Sequence, residues 1–148
     1  RRVRAHRGQP PAAGAVQRFD WDIALHKPTV ATLMLGMNDV NRGLYAANQS
    51  SEAVEAKRKA AIDGHLAAMA QLSEKLKALS CRMIFITPSI FDQTGKLQAE
   101  NLVGVNDALG TCGEGARKLA AGLGAPVLDL HGPMTALNAK RVKGAAFN

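Results

Sequence analysis

The chain has 148 residues and 15.6 kDa, the size of one domain, and its 47% hydrophobic residues suffice for a core. No apolar run approaches the roughly 18 residues of a membrane span, two cysteines exclude a disulfide scaffold or a four-cysteine zinc site, and 4% aromatics exclude a stacking platform for single-stranded nucleic acid. The net charge of +7 sits in residues 1–20 and 140–148 and leaves the body between them neutral, which argues against a nucleic-acid-binding domain.

Residues 1–14 are rich in Arg, Pro, Gly and Ala, have no apolar period, and read as a basic, disordered or non-native segment. No apolar stretch follows Arg1-Arg2-Val3-Arg4 before Pro10-Pro11, so this end gives no sign of compartment. The domain is expected over 15–140, with 141–148 as a tail. Val16, Phe19, Ile23 and Leu25 would line one side of a short helix that Lys27-Pro28 ends. Thr29–Leu35 (TVATLML) is an apolar run of strand length, and its continuity predicts a strand buried on both faces. Ser50–Leu79 repeats apolar residues at helical spacing from Val54 to Leu79, with Gly64 as a point of bending or division. Met83–Thr87 predicts a second buried strand, 98–123 a second long helix, Pro126–Leu130 a third strand, and 133–140 a last short helix. Strands alternating with helices predict an α/β domain with parallel strands and right-handed crossovers. In such sheets ligands bind beyond the carboxyl ends of the strands. Those ends are 36–45, 88–95 and 131–134.

Gly36-Met37-Asn38-Asp39 follows the first strand. Gly permits a sharp turn out of a sheet, Asn offers two uncharged N–H donors, and Asp can lock a loop by accepting backbone N–H groups. An uncharged donor held there suits a developing oxyanion. Asn-Asp is also ordinary turn chemistry. The triplet Gly110, Gly113, Gly115 imitates a dinucleotide fingerprint, but it follows no strand and falls within a helical stretch. Cys81 and Cys112 read as small buried residues.

The stretch PTVATLMLGMNDV resembles block III of the SGNH, or GDSL, hydrolase family, in which an apolar strand leads into Gly-x-Asn-Asp. RFDWDIALHKP before it, MIFITPSIFD after the long helix and PVLDLHGPM after the next one extend the resemblance from about Ala12 to Asn138. It implies a three-layer α/β/α fold with a parallel, flavodoxin-like sheet, and hydrolysis of esters carrying acetyl or other short acyl groups. By the resemblance, Asn38 supplies a side-chain amide to the oxyanion hole, Gly36 shapes its loop and Asp39 braces it. The family's chemistry requires no cofactor and no metal. The implied partner is a small-molecule or carbohydrate ester, with no nucleic acid and no membrane span; no oligomeric state is implied.

The family's nucleophile is the Ser of a Gly-Asp-Ser block, and its base is the His of an Asp-x-x-His block. Neither block occurs in these 148 residues. The serines are Ser50, Ser51, Ser73, Ser80 and Ser89. Only Ser89, after Thr87-Pro88, follows a strand end, and no base stands beside it in the sequence. Asp129-Leu130-His131 has the wrong spacing for the missing block, and the family's Asp at this strand end is structural. His6, His26 and His65 read as surface or satisfied helix residues. The four histidines form no metal-binding spacing. Counting back from Arg18, the family's block II Gly falls at Gly8-Gln9, inside an Arg-rich text that matches nothing. Residues 1–11 are therefore expected to be a frame-shifted reading of a family gene, with a basic natural extension as the alternative. The resulting expectation is an ester hydrolase domain, incomplete and inactive as this chain, with an exposed strand edge and low stability. A non-catalytic binding module on the same scaffold is the rival reading.

Overall fold

A computed structural model describes residues 12–93 and 102–140. Expectations for 1–11, for the first residues of the helix placed at 98–123 and for the tail 141–148 lie outside the described residues. The three apolar runs form β1 (Val30–Leu33), β2 (Arg82–Ile86) and β3 (Val127–Leu128). They make one parallel sheet in the order β1-β2-β3, with Val30 opposite Arg82 and Phe85 opposite Val127. The crossovers are α3 (Glu52–Ala78) and α4 (Val105–Leu123). With strands added in one direction, right-handed crossovers put both helices on the same face, and they do touch each other as well as β2. Leu66 of α3 fills the space that a side chain at Gly115 of α4 would take. Gly115 of the glycine triplet thus lets the two helices approach, in keeping with the triplet's place inside a helix.

Leu33, Met83 and Phe85 point into this helical layer and pack with Met69, Leu72, Leu76, Ala116 and Ala120. A second cluster of Val40, Tyr45, Phe91, Val105, Leu109 and Cys112 lies under the loops that leave β1 and β2. It is a rigid floor for whatever those loops carry. The strands are not buried on both faces among the described residues. Burial alternates along β1, and Val30, Met34 and Leu128 are 42%, 51% and 52% exposed. A continuous apolar run conceals this alternation, because the outward residues are apolar too. Of the three layers that the resemblance implies, the described residues form two, the sheet and its α3–α4 face.

The helix expected after residue 15 is broken into α1 (Ala12–Gln17), α2 (Phe19–Asp22) and a 3-10 turn at Ala24–His26. Phe19 enters the core, whereas Trp21 and Leu25 are each 72% exposed, so Leu25 does not share the buried side expected for it. α1 takes in the last three residues of the 1–14 segment, and Ala12 and Gly14 are buried in it. By contrast, α3 is one continuous helix. Ser51 caps it by accepting the Val54 N–H, with Glu52 and Glu55 at the positive end of its dipole. Gly64 does not divide it, and nothing lies within 4 Å of where its Cβ would be. Gly64→Ala should therefore raise stability by about 0.5–1 kcal/mol, because alanine loses less backbone entropy in a helix. A lowered urea midpoint would contradict this. The last helix, α5, spans His131–Ala139 and starts two residues earlier than its sequence pattern suggests.

Candidate active site

At the carboxyl end of β1 the chain turns at Gly36, whose φ of 133° lies where side chains are rarely tolerated. The Asp39 and Val40 N–H groups both donate to the Gly36 carbonyl, at 2.9 and 3.1 Å. This tight turn turns Asn38 outward and Asp39 and Val40 inward. A cleft of about 140 Å³ opens here, between residues 34–39 on one side and Pro88 with Ser89 on the other. Gly36, Asn38 and Asp39, the residues singled out from sequence, are brought together in its wall. The Asn38 amide makes no hydrogen bond to any described residue and is exposed at the cleft. Met34, Leu35, Met37 and Pro88 give the rest of the wall an apolar character.

Asp39 is the buried anchor of the loop. Its Oδ1 accepts the Ala12 N–H, and its Oδ2 lies 3.3 Å from Nδ1 of His65 on α3. That is ion-pair range, although the ring is not aligned for a good hydrogen bond. Burial pushes the Asp39 carboxyl up, but the His65 ring and the backbone at Ala12 and Gly36 favour the anion more, and the net shift is downward from the ordinary 3.8. A carboxyl lower in the folded state gives stability that is complete above its unfolded value. That stability is lost as pH falls through the folded value. The chain should therefore lose stability progressively below about pH 4. Asp39→Asn should flatten that part of a urea-midpoint profile against pH, and an unchanged slope would contradict the assignment.

The neighbouring loops are pinned by polar side chains. Arg58 of α3 donates to the Leu44 and Gln49 carbonyls at 2.7 and 2.9 Å, stacks 4.4 Å from the Tyr45 ring and pairs with Glu55. Asn106 of α4 accepts the Phe91 N–H and donates to the Phe91 carbonyl, fixing the segment after Ser89. Thr87, fully buried, donates to Asp129 at 2.8 Å and accepts the Leu130 and His131 N–H groups. That double acceptance explains the early start of α5. Asp129 Oδ1 also takes Gly132 N–H and Arg117, and the bonds from Thr87, Gly132 and Arg117 hold its carboxyl below the ordinary range against the push of burial. Its oxygen is committed to bracing the end of β3.

These contacts settle where the candidate nucleophiles lie. Ser51 caps α3, Ser73 is buried and donates to the Met69 carbonyl, and Ser80 sits in the turn before β2. Ser89 alone of the serines faces the cleft. Cys112 packs beneath Gly36, but burial and the adjacent Asp39 anion push its thiol up to about 12, so it stays protonated. Among the described residues no histidine lines the cleft. His131 rests against Gly110 with a buried Nδ1 that has no partner among the described residues. His65 is not a surface residue, nor a satisfied one in isolation; it is the partner of Asp39. Its signal was its place on the apolar stripe of α3 between Ile62 and Met69. Among the described residues no three His, Cys, Asp or Glu side chains gather to hold a metal.

A sequence model of the GDSL-like lipase/acylhydrolase family matches residues 1–148. The chain belongs to this family. The match runs through both basic ends, including residues 1–11, for which sequence reading found no counterpart. No curated protein matches the chain. Among solved structures, a gut microbial diltiazem-metabolizing enzyme superposes with a TM-score of 0.76 at 23% identity, over 88% of this chain and 29% of that one. A catalytic mutant of Axe2, an acetylxylan esterase from Geobacillus stearothermophilus, superposes with a TM-score of 0.66 at 18% identity, over 90% of this chain and 55% of that one. The acetyl xylan esterase AlAXEase gives 0.61 at 20% identity, over 88% and 59%. The likeness is one of fold, and this GDSL-family chain spans only part of the length of each.

Proposed function

We propose that this chain supplies the oxyanion-hole side of a serine ester hydrolase acting on short acyl groups carried by small molecules or carbohydrates. The observation that carries the reading is the Asn38 amide, exposed and uncommitted in an apolar cleft beyond the end of β1. Attack on an ester carbonyl moves negative charge onto its oxygen. Two fixed N–H donors without charge stabilise that oxygen more than the ground-state carbonyl, and loss of one such donor costs about 10²–10³ in rate. Gly36 lets the loop approach, and Asp39 holds it. The cleft volume of about 140 Å³ suits a short acyl group. Family membership and a fold shared with acetylxylan esterases support the same chemistry.

As this polypeptide, the site binds without turnover. Among the described residues Ser89 has no histidine beside it in the cleft wall, and removing a nucleophile or its base costs on the order of 10⁶ in rate. The test pairs two measurements. Hydrolysis of p-nitrophenyl acetate should equal the buffer rate for both the wild type and Asn38→Ala; turnover that Asn38→Ala abolishes would refute inactivity. Titration with acetate should move the backbone NMR signals of Gly36 and Ser89 and the side-chain amide of Asn38. If acetate moves only signals elsewhere, the oxyanion-site reading fails. That no histidine among the described residues lines the cleft favours one second reading, a binding module. It is distinguished by affinity for an acetylated sugar that free acetate does not match.

A further inference from the structure

An ionised carboxylate withdrawn from water is costly unless it is paired and hydrogen-bonded. The Asp39 side chain is 5% exposed and the His65 side chain 1%. No lysine or arginine among the described residues pairs with Asp39. The one basic side chain it meets there is the His65 ring, from α3. Its other oxygen takes the N–H of Ala12, the first residue of α1. Thus one carboxylate joins three parts of the chain: the Asn38 loop, the middle of the longest helix and the start of α1. The third titratable group that faces it, the Cys112 thiol of α4, stays neutral and adds no opposing charge.

We infer that His65 is a positioning residue for the Asn38 loop, acting through Asp39, and that the same contact docks α1 on the site. His65 is too deeply buried to touch a substrate. Its Nδ1 lies 3.3 Å from Asp39 Oδ2, and the buried ring bounds the carboxylate's rotation from the α3 side. That rotation aims Oδ1 at Ala12 and leaves Asn38, one residue earlier, directed into the cleft. Without the ring, the carboxylate is a buried charge held only by backbone N–H groups, and it is drawn toward water. The loop would turn with it and α1 would lose the acceptor at its first residue. The inference draws on the hydrolase reading only for what the direction of Asn38 means.

The test is amide hydrogen exchange, read by NMR on the 148-residue chain, and it needs no substrate. His65→Leu should speed exchange at the Ala12 and Asp39 amides about tenfold or more relative to the Phe85 amide, which pairs with Pro126 across the sheet. The side-chain NH₂ signals of Asn38 should move as well. His65→Asn, whose amide nitrogen can stand where Nδ1 does, should restore both. Equal acceleration at Ala12, Asp39 and Phe85 would mean that His65 only fills space, and no change at Ala12 and Asp39 would mean that it holds nothing. Either outcome overturns the inference. If His65→Leu does not fold, the wild-type ring decides. The ring ¹⁵N spectrum should show a proton on Nδ1, and an unprotonated Nδ1 facing the carboxylate would overturn the inference as firmly. Failure of acetate to bind would sink the hydrolase reading and leave this one intact.

Discussion

Asp39→Ala should lower the stability of the chain by about 2–6 kcal/mol, about 1–3 kcal/mol for each of two buried polar groups left without the carboxylate. That is a large share of the roughly 5–15 kcal/mol that holds a typical domain together. Three losses act together. His65, 2% exposed, keeps its polar ring in an apolar surrounding with no acid to face. The Ala12 N–H loses its acceptor, and a buried donor left unpaired costs about 1–3 kcal/mol by itself. The Gly36–Val40 turn keeps its backbone hydrogen bonds but not its inward anchor. Asp39→Asn should fall between the wild type and alanine, since its amide oxygen can still accept from Ala12. Asp129→Ala is the contrasting variant. Its side chain is 39% exposed, so water takes over part of what Thr87, Gly132 and Arg117 lose, and a smaller drop is expected. Urea midpoints for the three variants give the ranking. An Asp39→Ala loss below about 1 kcal/mol would mean that the pair is not a stabilising contact in this fold.

The parts that were legible in the sequence are those that depend on near neighbours in the chain. Three apolar runs, closed at Gly36, Pro88 and Leu130, were enough to place three parallel strands, and Gly36-x-Asn38-Asp39 at the first of these ends marked residues that share one cleft. What was not legible depends on what another element brings. The outward side of β1 looks like its inward side in sequence, because Val30 and Met34 are as apolar as Leu33. Exposure there is decided by where the two helices pack. His65 carried a spacing signal for burial but none for its partner, since Asp39 meets it only after the β1–α3 connection closes. Arg58 and Asn106 are polar residues on helices, and nothing in a period of 3.6 residues marks a side chain that reaches over to hold a loop. Thr87 was read only as part of the Thr-Pro after β2. Its role as acceptor for the start of α5 explains why that helix begins at His131, before the apolar pattern does.

Gly36→Ala tests the other half of the site, the backbone that brings Asn38 to the cleft. At φ 133° a residue with a side chain is strained wherever it is placed, and such strain costs about 1–3 kcal/mol. The new methyl carbon would also stand 3.0 Å from Pro88 Cγ and 3.5 Å from Cys112 Cβ. Neither neighbour can yield easily. Pro88 is a ring fixed between β2 and Ser89, and Cys112 is fully buried in α4. Overpacking of this kind adds about 1–3 kcal/mol, so a total loss of about 2–6 kcal/mol is expected. The variant should also differ from Asp39→Ala in a way that stability alone does not show. Gly36 and Pro88 face each other across the cleft, and pushing them apart or rotating the 36–39 turn alters the space proposed for the acyl group. Acetate should then no longer move the Ser89 signal, even where most of the chain remains folded. Gly64→Ala, where the added methyl meets nothing, serves as the control for alanine itself. If Gly36→Ala proves as benign as Gly64→Ala and still binds acetate, the turn is not the element that builds the cleft.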